Sequence, residues 1–307
     1  MRELPYGGVL TYHRNIHTCG VARFNHYLAR HLGVPLLDYR QMQTRDDRNL
    51  LVSIKFSEIL SEDLGLIAEV LQKVPEFSVI FHDYVESAVA IDLTQRAKRV
   101  MGLNGEVCAL MRRNRVDVVA GFTVPSYEPP ERLQAPELTL ITFGMAHKIQ
   151  STGYERVAEL LHADPRTHVL EISSALHEGT AFDDSFFEVG AEISKCFRGH
   201  VRFLGFLADG EVSLRISRAS AMLAFFPRGA RENNNSVMSA MRLAVPVITN
   251  LDESSPPWLR HDESVFDVNR LTAFPHAQDL QRVGIGGRLA TQHLTYDKLM
   301  SFLHGDG

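Results

Sequence analysis

"VRFLGFLADGEVSLRISRASAMLAFFPRGARENNNSVMSAMRLAVPVITN", residues Val201 to Asn250, decides the fold. It opens on a short apolar run, Val201–Leu204, and continues through Glu211–Ala219, where apolar residues recur three and four apart. A second run, Ala221–Phe226, stops at a polar loop holding three consecutive asparagines. A further helical segment starts at Ser236 and extends to about Ala244, and a third run, Pro246–Thr249, closes the stretch. Short apolar runs read as buried strands, and a spacing of three and four reads as a helix with one buried face. Strand, helix, strand, helix, strand is the pattern of a parallel sheet, whose neighbouring strands need a long crossover between them.

The same alternation extends in both directions. Further strands are expected at Gly8–His13, Leu50–Lys55, Phe77–His82, Arg99–Leu103, Val116–Ala120, Leu138–Phe143 and His168–Ile172. Helical patterns occupy Val21–Leu32, Leu64–Val74 and Tyr154–Leu161. The proline-rich stretch "PSYEPPERLQAPEL", Pro125 to Leu138, interrupts the rhythm, because proline fixes φ and withdraws a backbone donor. It reads as a linker over residues 125–137, between an N-terminal domain of residues 1–124 and a C-terminal domain of residues 138–307. The expectation is an α/β protein of two Rossmann-like, doubly wound domains facing each other across a cleft that holds a ligand.

Composition narrows the function. The 307 residues carry 32 Lys and Arg against 37 Asp and Glu, a formal charge of −5, which argues against a dedicated nucleic-acid binder. Cys19, Cys108 and Cys196 stand far apart without metal-type spacing, so they read as reduced thiols and no metal site is expected. No stretch reaches the roughly 18 apolar residues of a membrane span, and the N-terminus lacks the apolar core of a signal peptide. A cytoplasmic location is expected, with room for contact at the inner face of the membrane.

In open α/β sheets, ligands bind outside the carboxyl ends of the strands. The polar and glycine residues collect there. Gly20 opens a helix after the first strand, His82 ends the third strand candidate, and "FGMAHK" brings Gly144, His147 and Lys148 to the end of the first strand of the second domain. Asn233, Asn234, Asn235 and Ser236 stand at a helix start, where side chains cap and backbone N–H groups attract anions. Arg228, Arg231, His147 and Lys148 supply countercharge suited to a diphosphate. Each feature also has a plain structural reading. The asparagines suit an N-cap and turn, His82 a satisfied structural histidine, Gly144 a tight turn and Lys148 a solvated cation. Their shared placement at strand ends favours a ligand.

These residues are similar to those of GT-B fold glycosyltransferases of the retaining family 4 type (glycosyl transferases group 1). "LTLITFGMAHKIQSTGYERVAELL" resembles that family's opening strand, glycine loop and first helix of the nucleotide-binding domain. The stretch quoted first resembles its most characteristic block, and "SSPPWLRHDESVFDV" and "GGRLATQHLTYDKLMSFL" resemble its tail. In the first half, "CGVARFNHYLARHL", "VIFHDY" and "RAKRVMGLNGEVCALMRR" are similar to a glycine loop with its helix, a His-Asp strand end and a strand–helix pair. The resemblance covers nearly the whole chain and is strongest from Leu138 onward.

The resemblance implies a nucleotide-sugar donor, of the UDP- or GDP-sugar class, held mainly by the second domain. It implies a glycan, lipid-linked or small-molecule acceptor held mainly by the first, with no obligatory metal and no separate cofactor. By position, Gly20 falls on the loop near the donor phosphates, His82 beside the transferred sugar, and Gly144 at the second phosphate loop. Lys148, His147 and Arg228 or Arg231, with the amides near Asn234 to Ser236, would stabilise charge on the leaving diphosphate, and Glu232 would bind a sugar hydroxyl.

The sequence departs from the family at the glutamate pair spaced E-x7-E. Arg231 and Ser239 occupy those two places, with Glu232 offset by one, so Ser239 offers the ribose a weaker contact than a carboxylate. Met145 and Gln150 replace the expected Arg and Lys, and Lys148 and His147 stand near enough to substitute. These departures leave two other readings open: a catalytically silent nucleotide- or glycan-binding subunit, and a phosphate-chemistry enzyme such as an epimerase.

Overall fold

The computed structural model describes residues 6–16, 19–42, 48–126, 138–144, 151–174 and 185–305. The chain divides into two units, one of Met1–Val124 with Leu294–Gly307 and one of Pro125–His293. Each contains one six-stranded sheet in which every strand pairing is parallel. This is the doubly wound, Rossmann-like fold class expected of a GT-B protein.

The first unit runs β1 (Gly8–Thr11), α1 (Gly20–Leu32), β2 (Leu36–Asp38), β3 (Leu50–Ile54), α2 (Ser61–Gln72), β4 (Phe77–Phe81), α3 (Ala88–Arg96), β5 (Val100–Gly102), α4 (Gly105–Met111) and β6 (Val118–Ala120). Its strand order is β2-β1-β3-β4-β5-β6. The central strands β3 and β4 are buried at every position, which explains their unbroken apolar runs. Helix α1 buries Val21, Phe24, Leu28 and Leu32 on one face and stops at Gly33, whose φ of 65° a side chain would oppose.

The second unit runs β7 (Leu138–Gly144), α5 (Ser151–His162), β8 (His168–Ser174), α6 (Ser185–Cys196), β9 (Val201–Gly205), α7 (Asp209–Arg218), β10 (Ala221–Leu223), α8 (Asn235–Arg242), β11 (Val247–Thr249), β12 (Phe266–Asp267) and α9 (Ala277–Ala290). The order is β12-β11-β10-β7-β8-β9. All ten strands expected from the sequence are present, with ends shifted by a few residues. The three-residue β2 and two-residue β12 are additional. They lie at sheet edges and are too short to show a periodicity.

The expected boundary needs one correction. Residues 294–307, read as the end of the second domain, belong to the first unit. Thr295 caps the last helix, α10 (Tyr296–His304), by accepting from Lys298 N. Its buried face, Leu299, Met300 and Leu303, packs on the first unit. The Tyr296 ring lies 5.7 Å from that of Phe24, the Phe302 ring 5.9 Å from that of Phe122, and His304 Nε2 3.2 Å from Tyr6 Oη. Apolar contact with remote residues outweighed adjacency in sequence. The linker reading over 125–137 lies, from residue 127 on, outside the described residues. Among the described residues no helix is long and apolar enough to cross a membrane.

Candidate functional site

The second sheet reverses direction between β7 and β10, with β8 and β9 on one side and β11 and β12 on the other. Such a switch point opens a crevice at the carboxyl ends of the two central strands. Gly144 is the last residue of β7. Its φ of 154° is one that side chains rarely adopt, and nothing lies within 4 Å of the place a Cβ would take, so the backbone there is open to close approach. His147 and Lys148, three and four residues past β7 in sequence, lie outside the described residues.

From the neighbouring strand comes the loop that carries the asparagines, and two residues after β11 shape it. Asn250 Oδ1 accepts from Phe226 N at 2.9 Å, its Nδ2 donates to Phe226 O at 2.7 Å, and its carbonyl accepts from Ala230 N at 2.9 Å. Gly229, with φ 74°, then turns the chain against Asp252. The φ favours glycine, and a Cβ at Gly229 would stand 3.0 Å from Asp252 Cγ and 3.1 Å from Asp252 N, a fit so tight that Asp252 would have to give by a few tenths of an ångström. Arg231, only 7% exposed, donates from Nη1 to Asp252 Oδ1 and from Nη2 to Asp252 Oδ2, each at 2.8 Å. The guanidinium hydrogen-bonds, with help from the Ser254 backbone N–H, hold the Asp252 carboxyl below its usual value.

The asparagines divide their tasks. Asn234 Oδ1 accepts from Arg231 N at 2.5 Å, and the Asn234 side chain makes no cap bond to α8. Asn235 Nδ2 donates to Ser126 Oγ at 3.1 Å, and its Oδ1 accepts from Ser239 Oγ at 3.3 Å. Asn234 therefore gives α8 no side-chain cap, and while Asn235 N is bonded to Asn233 O at 3.0 Å, a helix N-terminus of this kind suits an anion. Arg228 is exposed, and Glu232, Asn233 and Ser236 are half-buried beside it in the chain. Ser239 differs. It is fully buried and its hydroxyl is given to Asn235. The structure thus brings Arg228, Asn233 and Asn234 of one loop to the first turn of α8 with Asn235 and Ser236, uses Arg231 as an internal tie, and withdraws Ser239 from the surface.

In the first unit, Gly20 begins α1 with open space around it. His82 immediately follows β4 and is buried, its ring edge-on to Phe24 at 4.9 Å. A chain of hydrogen bonds fixes its proton. Thr11 Oγ1 gives its only hydrogen to the carbonyl of His13 at 3.2 Å, so it accepts from Asn25 Nδ2 at 2.7 Å. Asn25 Oδ1 then faces Ser53 and accepts from Ser53 Oγ at 2.5 Å. With that hydrogen committed, Ser53 Oγ must accept from His82 Nε2 at 3.0 Å. His82 is the Nε2–H tautomer. Burial, with the charges of His13 and Lys55, pushes its pKa well below the ordinary 6.5, so the ring is neutral at pH 7.

Sequence reasoning did not assign roles to Asn250, Asp252 or Ser255, although "TNLDESS" follows a strand. Nor did it single out Asn25 and Ser53. The signal was present in both: Asn25 interrupts the apolar face of α1, and Ser53 interrupts the run Leu50–Ile54. A fully buried polar side chain must find a partner.

No protein-family model matches the sequence, and no curated protein does. Solved structures do match. The chain is similar to Anabaena HepE, solved in complex with UDP-glucose, with a TM-score of 0.64 at 12% identity over 97% of this chain and 98% of that one. It is similar to a glycosyltransferase of Rickettsia africae, with a TM-score of 0.60 at 10% identity over 97% and 96%. Sucrose-phosphate synthase of Thermosynechococcus elongatus gives 0.59 at 14% identity, over 83% of this chain and 72% of that one. At these identities the likeness is one of fold.

Proposed function

We propose that this chain is a glycosyltransferase of the retaining family 4 type, taking a sugar from a UDP- or GDP-sugar donor. The acceptor is a glycan, a lipid-linked saccharide or a small molecule. One observation carries the reading: Gly144 and α8, which the Asn234 side chain does not cap, both emerge at the switch point of the second sheet, where a doubly wound fold binds phosphates. Support comes from HepE, a structure of the same fold that holds UDP-glucose.

In this reading the diphosphate rests against the first turn of α8, near Asn233, Asn234, Asn235 and Ser236. As the sugar–phosphate bond breaks, charge grows on the diphosphate, and Lys148, His147 and Arg228 stabilise it in place of a metal. Arg231 acts through Asp252 by holding the loop in shape. Glu232 binds a sugar hydroxyl. His82, neutral and held by Ser53, orients the sugar or acceptor, with Gly20 opening space for the phosphates. Ser239 reaches the ribose only if Asn235 releases it. The reaction takes place in the cytoplasm, at the inner face of the membrane when the acceptor is lipid-linked.

A thermal-shift panel of nucleoside diphosphates tests the donor site. A diphosphate at a hundredfold over its Kd adds about 2.7 kcal/mol of stability, and UDP or GDP is expected to do so. Sugar-nucleotide hydrolysis then tests turnover. Absence of any diphosphate effect overturns the reading, and stabilisation without turnover identifies a binding subunit instead.

A further inference from the structure

The first sheet has a switch point of its own. Its order reverses between β1 and β3, and three side chains with metal-type donors gather beyond the carboxyl ends of those two strands. His13 lies two residues past β1, Cys19 immediately precedes α1, and Glu58 ends the 3-10 turn Phe56–Glu58 that follows β3. Their donor atoms all lie within 4.8 Å of one another. Glu58 Oε2 is 3.8 Å from His13 Nδ1 and 3.8 Å from Cys19 Sγ, while its Oε1 is held by the Lys55 ammonium. One carboxylate oxygen is therefore anchored and the other faces the imidazole and the thiol.

The backbone at His13 and at the turn of Glu58 is held by side chains. Thr11 Oγ1 accepts from His13 N and donates to His13 O, which clamps the start of the loop. The Asp83 carboxylate accepts from Phe56 N at 2.6 Å and from Ser57 N, which holds the turn that carries Glu58. His13 is 6% exposed, and its Nε2 is buried with no hydrogen-bond partner. The Nδ1 edge of the ring is the one turned to Glu58, so an ion held there takes the lone pair of Nδ1 and leaves the ring proton on Nε2.

We propose that His13, Cys19 and Glu58 form a binding site for one zinc-class divalent cation. Donor atoms around tetrahedral zinc stand about 3.5 Å apart, so the two separations of 3.8 Å close with small side-chain movements. A mixed nitrogen, sulfur and oxygen set selects zinc, cobalt or a similar borderline ion over magnesium or calcium, which take oxygen ligands. Three protein ligands leave a fourth position for an oxygen. Lys55 remains as the outer partner that orients the carboxylate. The ion ties the connection before α1 to the turn after β3, both within the first unit.

The test is a cobalt(II) titration of the full chain after chelator treatment, followed by absorption, with no nucleotide sugar present. The expected result is one equivalent bound, with visible bands of a tetrahedral ion and a near-ultraviolet thiolate charge-transfer band. Cys19→Ser abolishes that band, Cys196→Ser keeps it, and His13→Ala and Glu58→Gln each weaken cobalt binding by about tenfold or more. Glu58→Gln changes a half-buried side chain with little change of shape, so its loss of affinity is read on a folded protein, checked by circular dichroism. A wild-type titration without the near-ultraviolet band overturns the site, and so does a band that survives Cys19→Ser.

Discussion

Arg231 and Asp252 form a two-bond fork, Nη1 to Oδ1 and Nη2 to Oδ2, that joins the loop after β10 to the loop after β11. Arg231 is 8% exposed at its side chain and Asp252 26%, so the pair is sheltered without being sealed. Breaking a buried pair costs about 3–5 kcal/mol, and partial exposure of Asp252 lowers the expectation for Arg231→Met to about 2 kcal/mol. Urea unfolding measures it. The double variant Arg231→Met, Asp252→Leu is expected to recover part of the loss, because no lone charge remains. Arg231 depresses the Asp252 pKa, so the fork contributes fully above the ordinary 3.8 and is lost as pH falls through the lower folded value.

Gly229→Ala is expected to destabilise by about 1–2 kcal/mol through its left-handed backbone alone, with the approach to Asp252 adding to the cost. If the loop shapes the donor site, the same variant weakens UDP or GDP binding in calorimetry. A normal melt with normal binding would remove Gly229 from both roles.

His82 makes stability pH-dependent in a calculable direction. Its folded pKa lies below the unfolded value near 6.5, so its contribution is complete above pH 6.5 and is lost as pH falls from there toward the folded value. Thermal melts across pH 5 to 7.5, about the span in which histidine titrates, are expected to decline on the acid side. In His82→Gln that decline is shallower. Equal slopes in the two proteins would mean that His82 is already free to protonate.

Lys148→Ala is expected to lower kcat by about 10²–10³ with a much smaller change in KM, if the ammonium meets charge that develops only as the donor breaks. Steady-state kinetics with the donor identified by thermal shift provide the check. An unchanged kcat removes Lys148 from the mechanism.

Deleting residues 294–307 is expected to strip hydrogen-exchange protection from α1 and β6 while leaving α8 and β11 protected. Tyr296, Leu299 and Phe302 are lost to the first unit, and the second keeps its own core. Uniform loss of protection would mean that the two units unfold as one.

The parallel sheets were legible because strands such as Leu50–Ile54 and Phe77–Phe81 are buried on both faces and read as continuous apolar runs. The placement of Gly144, His82 and the asparagine loop at strand ends was legible for the same reason, since the end of an apolar run marks the end of a strand. Partner choice was not. Nothing in the spacing of Arg231 and Asp252 shows that 21 residues fold into a fork, and nothing near Ser239 shows that Asn235 takes its hydroxyl. His13, Cys19 and Glu58 are brought together by sheet order, which a linear spacing rule cannot see. The allegiance of α10 escaped because its apolar face fits either unit as a pattern, and only the shapes of Phe24, Phe122 and Tyr6 decide.

The return of α10 to the first unit has a consequence for biosynthesis. Chains usually acquire their domains from the amino end as they leave the ribosome. Here the stretch Leu294–Gly305 emerges after every residue of Pro125–His293, so the earlier-made unit waits for its closing helix while the later-made one can already be finished. During that interval the surfaces of Phe24 and Phe122 that α10 covers stand uncovered, which makes nascent chains the form of this protein most in need of a chaperone.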